Sequence, residues 1–202
     1  MTVGIVDYGL GNISAFYNIY KRENINVIVI REPCDFKKVN NLILPGVGSF
    51  DWAMQKLSCS GLIDALNNAV INKKLPILGV CVGMQIMAKE SEEGGSQGLG
   101  WIDAKVRKFS YDSSCPLPHM GWNKISTLNE PDLFKDLAYN RFYFLHSYFF
   151  EPNDKKVIIS ESKYIKKFTS AINFNNIYAT QFHPEKSHSD GTKVLINFIN
   201  YT

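Results

Sequence analysis

A cysteine flanked by glycines is the clearest chemical feature of the sequence. Gly79-Val80-Cys81-Val82-Gly83 ends the apolar run Pro76–Val80 and precedes a helical pattern that begins near Met84. At such a strand-to-helix turn, side chains two positions either side of the nucleophile would collide, so the glycines have a steric role. Unpaired amides at the start of a helix favour a thiolate. The pattern predicts Cys81 as a nucleophile, and the alternative is a buried inert cysteine beside packing glycines.

A histidine and a glutamate follow a second apolar run, in Gln181-Phe182-His183-Pro184-Glu185. A thiol nucleophile needs a base, and the base needs an acceptor that orients it. Residues two apart in an extended chain project to the same side. The spacing therefore predicts that Glu185 holds the His183 ring while the ring faces Cys81. The alternative is a surface histidine beside a solvated charge.

The third feature is a glycine loop, Leu44–Phe50, at the end of another predicted strand. Acyl transfer creates an oxyanion that backbone amides stabilise, and glycines let the backbone approach the substrate. A phosphate loop is excluded because the sequence lacks G-x-x-x-x-G-K-[ST], and Ser14 occupies the third glycine position of the dinucleotide fingerprint. We expect oxyanion donors from the backbone of Gly46, Val47, Gly48 and Val82.

The first half of the chain alternates strand and helix patterns. Nearly continuous apolar runs at 3–6, 27–30, 42–44 and 77–80 are typical of strands covered on both faces. Helices are predicted over 12–23, with Asn12 as the cap, and over 51–73, with a break at Gly61. This alternation predicts an α/β fold with a mostly parallel central sheet flanked by helices.

The second half is predicted to add an antiparallel or mixed strand region. Asn175-Asn176 is a hairpin-turn pair, and a helix over 190–200 closes the chain. The sequence contains no obvious linker, so we expect a single domain over 1–202. Strands are predicted at 101–109, 121–127, 142–150, 156–164, 168–174 and 177–182.

Composition narrows the functional classes. The 202 residues include 22 basic and 19 acidic side chains, and the net charge of +3 is scattered, so we expect no nucleic-acid and no membrane partner. No apolar run reaches the roughly 18 residues of a membrane span, and no secretory leader is evident, which predicts a cytoplasmic protein. The four cysteines form no C-x-x-C pair and the four histidines lack ligand spacing. We expect no metal and no cofactor.

With these three features in order, the sequence resembles the class I (triad) glutamine amidotransferases. It most closely resembles the glutaminase subunits of imidazole glycerol phosphate synthase, and the resemblance covers essentially the whole chain. The expected fold is therefore the class I glutamine amidotransferase fold. The segments that carry the resemblance are Asp7-Tyr8-Gly9, Pro45–Phe50, Gly79–Gln85, Pro118-His119-Met120-Gly121-Trp122-Asn123, His146-Ser147-Tyr148 and Gln181–Ser187.

The resemblance implies a glutaminase reaction through a cysteine thioester. Cys81 would attack the carboxamide of L-glutamine, His183 would protonate the departing ammonia and then activate water, and Glu185 would orient His183. The substrate would be held by Gln85 and by backbone groups of Gly46, Gly48, Ser147 and Tyr148.

The resemblance also implies a protein partner. Trp122, Asn123 and Lys186 would lie toward a (β/α)8-barrel cyclase-type subunit, forming a heterodimer in which ammonia is channelled to a second active site of histidine biosynthesis. The glutaminase would be nearly idle until this partner is engaged.

Several residues depart from the usual family pattern, and alternative functions remain to be considered. Asp51-Trp52 stands where the family usually has glycine and aspartate, and Val82 where leucine is more common. Ser91–Gly94, together with Gly98–Trp101, resembles a branch associated with surface polysaccharides, in which the ammonia would serve an amidotransferase acting on a sugar. Two alternatives come from other classes: a stand-alone cysteine hydrolase that needs no partner, and a non-catalytic thiol-sensing domain.

Overall fold

The computed structural model describes residues 1–110 and 112–202. Its strands are β1 Thr2–Val6, β2 Asn26–Ile30, β3 Asn41–Gly46, β4 Ile77–Cys81, β5 Glu90–Ser91, β6 Ala104–Lys108, β7 His119–Lys124, β8 Ser126–Thr127, β9 Arg141–His146, β10 Tyr148–Pro152, β11 Ile158–Lys163, β12 Lys167–Phe174 and β13 Ile177–Thr180. Its α-helices are α1 Ile13–Arg22, α2 Phe50–Cys59, α3 Ile63–Asn67, α4 Val82–Gln85 and α5 His188–Asn200.

A mixed sheet forms the centre of the fold. Within the described residues its strand order is β2-β1-β3-β4-β13-β12-β11-β8. The pairs from β2 to β13 are parallel, and those from β13 to β8 are antiparallel. Strands β1, β3 and β4 are buried almost throughout, as strands covered on both faces must be. The α/β fold with a parallel core and a mixed second half is confirmed.

Two smaller sheets lie beside the central one. Strand β6 pairs antiparallel with β10 and parallel with β5, while β7 and β9 form an antiparallel ribbon. The sequence pattern predicted one strand over 142–150, and this is wrong. The chain leaves the ribbon after His146 and joins the other sheet at Tyr148, so Ser147 lies between two strands of different sheets.

Local sequence signals explain several element boundaries. Asn12 caps α1, because its side chain accepts a hydrogen bond from the Ala15 amide at 3.2 Å. Gly61, with φ +72°, separates α2 from α3, as expected. The predicted helix over 51–73 continues beyond α3 as a π-helical turn, Asn68–Asn72, rather than as an α-helix. The hairpin at Asn175-Asn176 is present between β12 and β13, with Asn175 at φ 54°.

Aromatic and aliphatic side chains from all parts of the chain fill the core. Phe16 and Tyr20 of α1 are fully buried, as are Val194 and Leu195 of α5. The Tyr20 hydroxyl donates to the Leu195 carbonyl at 3.4 Å, which joins α1 to α5. None of the helices among the described residues is long and apolar enough to cross a membrane.

Candidate active site

The cysteine lies at the sharp turn between β4 and α4. Cys81 has φ 56° and ψ −110°, a conformation that costs a non-glycine residue about 1–3 kcal/mol. Such strain is typical of a nucleophile elbow, where the turn aims the side chain out of the sheet. The helix begins at Val82, two residues earlier than expected, and spans only four residues.

Close backbone contacts account for the glycines of the turn. A Cβ on Gly79 would lie 2.9 Å from the Gly83 carbonyl oxygen, and a Cβ on Gly83 would lie 2.0 Å from the carbonyl oxygen of Leu44. A Cβ on Gly46, the residue paired with Cys81 in the sheet, would lie 2.2 Å from the Gly83 nitrogen. The elbow and the glycine loop therefore pack backbone against backbone, and side chains at these positions are excluded.

His183 and Glu185 form a buried pair. Their Nδ1 and Oε1 atoms are 2.8 Å apart, and each side chain is 2% exposed. The contact expected from the spacing is present, but the extended conformation is wrong. Pro184–Lys186 is a single 3₁₀ turn, because proline fixes φ near the helical value at the first position of a turn.

The environment of His183 favours its charged form. Burial opposes a charge on the ring, but the charge and hydrogen bonding of Cys81 and of Glu185 outweigh it and raise the pKa of His183 to about 10. Since Nδ1 contacts the carboxylate, Nε2 is the ring atom available to the sulfur. His183 is therefore an imidazolium at neutral pH, next to the sulfur of Cys81.

Gln181 is a polar neighbour of the sulfur to which the sequence pattern assigned no role. Its Nε2 donates to Cys81 Sγ at 3.7 Å, and its Oε1 accepts from Gln85 Nε2 at 3.1 Å. The thiol also contacts the Leu145 carbonyl oxygen at 3.8 Å. No local pattern reveals this contact, because it joins residues 100 positions apart.

The glycine loop lies at the same edge of the sheet as the elbow. Strand β3 ends at Gly46, and Gly48 has φ +87°. The buried Tyr8 hydroxyl donates to the Pro45 carbonyl at 2.7 Å and so fixes the start of the loop. Burial, with a smaller contribution from the charge of Cys81, raises the pKa of Tyr8. Its role was also not predicted, because the contact joins residues 37 apart.

Two of the expected substrate residues are joined by a hydrogen bond. Gln85 Nε2 donates to the Tyr148 carbonyl oxygen at 3.0 Å. Ser147 lies between β9 and β10, and its carbonyl accepts from the Phe109 amide at 3.2 Å. Gln85 of α4 and Tyr148 of β10 are thus in contact beside the elbow. Val47 and Val82 belong to the loop and the elbow themselves.

The start of α2 is bound to residues 93–96 by hydrogen bonds. The Asp51 carboxylate accepts from the amides of Gly95 and Ser96 at 3.1 and 3.0 Å. Glu93 accepts from the Phe50 amide at 2.8 Å, and burial raises the pKa of its carboxyl group. The Ser91–Gly94 segment is therefore fixed against the start of α2, close to the glycine loop.

The residues expected at a partner surface differ in exposure. Trp122 is 41% exposed, and its ring stacks on His188 with the ring centroids 5.0 Å apart. Lys186 is exposed, with Nζ 5.7 Å from the Tyr143 ring. Asn123 instead uses its amide internally, donating to the Lys163 carbonyl at 2.9 Å. In residues 1–110 and 112–202, no group of His, Cys, Asp and Glu side chains is arranged to hold a metal ion.

Comparison with known proteins decides the family. The model of the family described as glutamine amidotransferase class-I matches residues 5–201. The chain belongs to this family. The resemblance seen in the sequence is thereby confirmed, and the amidotransferase fold agrees with it.

Relatives of this amidotransferase match it over nearly its full length. It is 50% identical to the imidazole glycerol phosphate synthase subunit HisH of Leptospira borgpetersenii, covering 97% of this chain and 98% of the relative. It is 45% identical to the subunit HisH 2 of Methanococcus maripaludis, covering 98% of both.

Solved structures confirm the fold of the amidotransferase. A structure titled glutamine amidotransferase superposes with a TM-score of 0.76 at 18% identity, covering 98% of this chain and 97% of that chain. The glutaminase domain of CTPS from Trypanosoma brucei superposes with a TM-score of 0.65 at 12% identity, covering 99% of this chain and 94% of that chain.

Proposed function

We propose that this amidotransferase is the glutaminase subunit of an imidazole glycerol phosphate synthase, acting in histidine biosynthesis. It hydrolyses L-glutamine to glutamate and ammonia and passes the ammonia to a (β/α)8-barrel cyclase-type partner. The 50% identity to a subunit of that name, over 97% of this chain, is the observation that carries the assignment.

The first half-reaction uses the pair formed by Cys81 and His183. The thiolate attacks the carboxamide carbon of glutamine, and the C=O π electrons move onto the oxygen. When the tetrahedral intermediate collapses, the C–N bond breaks and the imidazolium gives its Nε2 proton to the departing ammonia. The products are ammonia and a glutamyl thioester on Cys81. The raised pKa of His183 supports this step, because the proton is already on the ring.

The second half-reaction uses the neutral imidazole as a base. His183 takes a proton from water, the hydroxide adds to the thioester carbon, and the C–S bond then breaks. The product leaves as a carboxylic acid that releases its proton to solvent to give glutamate, and the thiolate and imidazolium are restored. Glu185 keeps the ring oriented through its 2.8 Å contact with Nδ1 in both steps.

Backbone amides at the edge of the sheet stabilise the two oxyanions in this proposal. Gly46, Val47 and Gly48 supply them from the glycine loop, and Val82 supplies the one that follows the nucleophile. Gln85, Ser147 and Tyr148 bind the glutamine. Support comes from the packing of Gly46 against the elbow and from the contact between Gln85 and Tyr148.

The partner subunit would contact the surface that carries Trp122, Asn123 and Lys186. Aromatic side chains are typical of interface centres, and polar and charged side chains surround them at the rim. Trp122, Tyr139, Arg141 and His188 line a recess of about 400 Å³ beside this surface, which gives a partner side chain a place to insert.

A second candidate function differs in the acceptor of the ammonia. The same half-reaction would supply ammonia to an amidotransferase that acts on a sugar. The observation in its favour is the sequence of Ser91–Gly94 and Gly98–Trp101, which resembles the surface-polysaccharide branch. Assays with each acceptor and its cognate barrel subunit distinguish the two, since product forms only with the correct pair.

Labelling by a glutamine-analogue electrophile tests the glutaminase assignment. Cys34 and Cys59 are exposed whereas Cys81 is buried, so a small unselective alkylating agent should modify Cys34 and Cys59 first. The glutamine analogue should modify Cys81 alone, because it binds the substrate site. Equal labelling of the exposed cysteines by the analogue would refute the assignment.

A further inference from the structure

Two buried histidines that take no part in the proposed chemistry belong to the β7–β9 ribbon. His119 and His146 are 4% and 6% exposed and face each other in register across the ribbon. His119 Nδ1 and His146 Nε2 are 3.0 Å apart, and His146 Nδ1 is 2.8 Å from the Tyr148 carbonyl oxygen. The amide Nδ2 of Asn123 lies 3.3 Å from His119 Nε2.

These contacts determine where the protons are. A carbonyl oxygen accepts only, so His146 Nδ1 carries a proton and donates it to Tyr148. In a neutral ring, His146 Nε2 then accepts, and His119 Nδ1 must donate. His119 Nε2 is left as an acceptor for one N–H of Asn123, whose other N–H reaches the Lys163 carbonyl. Every contact is satisfied by one arrangement, with both histidines in the Nδ1–H form.

The surroundings keep both rings neutral. His119 stacks between Phe144 and Tyr164, and the Phe168 ring lies 5.8 Å from His119 and 5.1 Å from His146. Burial lowers the pKa of His119 to about 4. Burial also lowers the pKa of His146 to about 3; the bond to Tyr148 opposes this shift, and nearby His119 and His183 add to it. Both rings therefore stay in the neutral form that the hydrogen bonds require.

The Tyr148 carbonyl connects this pair to the nucleophile. It accepts from both His146 and Gln85, so two donors fix its position. Gln85 also donates to Gln181, and Gln181 donates to Cys81 Sγ. A continuous series of hydrogen bonds thus runs from the ribbon to the sulfur.

We propose that His119 and His146 are positioning residues that hold the Tyr148 carbonyl, and through it Gln85, in the geometry that binds the substrate of the glutaminase site. Two phenylalanines would fill the same space without the cost of burying polar rings, so the hydrogen bonds are what the imidazoles contribute. This inference rests on the proposed function.

The test compares His119→Phe with two matched variants. His119→Phe keeps a ring in the aromatic cluster and removes both hydrogen bonds. We expect it to raise the KM for glutamine about tenfold while kcat changes by less than about threefold, the pattern of lost substrate binding. His119→Asn keeps an N–H near the position of Nδ1 and should recover most of this loss. Phe144→Leu thins the same cluster but leaves the hydrogen bonds intact, so its KM should be unchanged.

Thermal unfolding of each variant separates positioning from folding. An unchanged KM in a folded His119→Phe enzyme, or an equal rise in Phe144→Leu, would overturn the inference. Nitrogen NMR of the wild-type chain gives a readout that needs no activity. It should show both histidines as Nδ1–H tautomers that stay neutral at about pH 5, above both lowered pKa values. Any other tautomer, or titration near the ordinary histidine pKa of about 6.5, would also overturn the inference. A wild-type enzyme that turns over no glutamine would instead refute the proposed function.

Discussion

Cys81 combines chemical and conformational demands in one residue. Its positive φ raises the conformational free energy of any residue that has a Cβ, whereas glycine adopts such a φ without this cost. The protein therefore holds a strained residue at the end of β4, where the surrounding backbone fixes the turn.

The strain predicts an order of stability among Cys81 variants. Cys81→Ala and Cys81→Gly should both lose glutamine hydrolysis by about 10³-fold or more, because each lacks the sulfur. Cys81→Gly should nevertheless be more stable than Cys81→Ala by about 1 kcal/mol. Glycine relieves about 1–3 kcal/mol of backbone strain in the folded state, and this exceeds the loss of about 0.4–1 kcal/mol of stability that results because glycine makes the unfolded chain more flexible. Urea denaturation measures the difference, and a less stable glycine variant would show that the turn is not strained.

Cys81 and, to a smaller extent, the Glu185 carboxylate raise the pKa of His183 against the opposing effect of burial. Because the folded-state pKa of His183, about 10, exceeds its ordinary value of 6.5, the stability from these interactions is complete below about pH 6.5. It is lost as the pH rises toward 10.

Glu185→Gln keeps an acceptor for His183 Nδ1 but removes the negative charge. The pKa of His183 should fall, by about 1–3 units for the loss of a neighbouring opposite charge. The alkaline limb of the glutaminase pH profile should then move to lower pH, since the imidazolium that protonates ammonia is lost earlier. NMR titration of the ring gives the shift directly. An unchanged titration would mean that Cys81 alone sets the proton affinity of the ring.

At the scale of elements, the close contact between β3 and the β4–α4 turn is the feature that positions the site. Leu44, Gly46 and Gly83 meet through backbone atoms alone. The glycine loop can therefore lie beside the nucleophile because Gly46 and Gly83 carry no side chains, and no particular side-chain contact is needed.

Gly83→Ala tests this contact. The new Cβ would lie 2.0 Å from the Leu44 carbonyl oxygen, so the two elements must separate, at a cost of about 1–3 kcal/mol or more. Gly95→Ala is the matched control, because a Cβ there meets nothing within 4 Å, and its effect should stay within about 0.5 kcal/mol. Chemical denaturation of both variants makes the comparison, and equal stabilities would contradict the packing argument.

Sequence patterns predict elements well where the signal is local. The runs at 3–6, 27–30 and 77–80 are strands within one residue at each end, because continuous apolar segments identify strands covered on both faces. Contacts between distant residues escape such patterns. The bond from Tyr8 to Pro45 and the approach of Gln181 to Cys81 join residues 37 and 100 positions apart. The break at Ser147 also has no local signal, since it reflects a change of sheet.

At the scale of the whole molecule, the proposed partner surface lies next to the triad along the chain. Lys186 directly follows Glu185, and Trp122 stacks on His188, three residues beyond Glu185. Groups that contact a partner here would sit close to the groups that orient the imidazole.

Trp122→Ala tests the surface with a matched control. We expect the Kd for the cyclase-type subunit to rise about 30-fold, corresponding to about 2 kcal/mol for a central aromatic anchor. Phe174 is also 41% exposed but lies at the β12–β13 hairpin, so Phe174→Ala should leave the Kd unchanged. Calorimetric titration compares them, and equal effects would place the interface elsewhere.

The most direct test of the proposed function is the release of glutamate and ammonia from glutamine, measured for the free chain and for its complex with the cyclase-type subunit. We expect slow turnover by the free chain, rapid turnover with equal amounts of both products in the complex, and no turnover by a complex that carries Cys81→Ala. Glutamine hydrolysis that persists in the Cys81→Ala complex would contradict the assignment of Cys81 as the nucleophile.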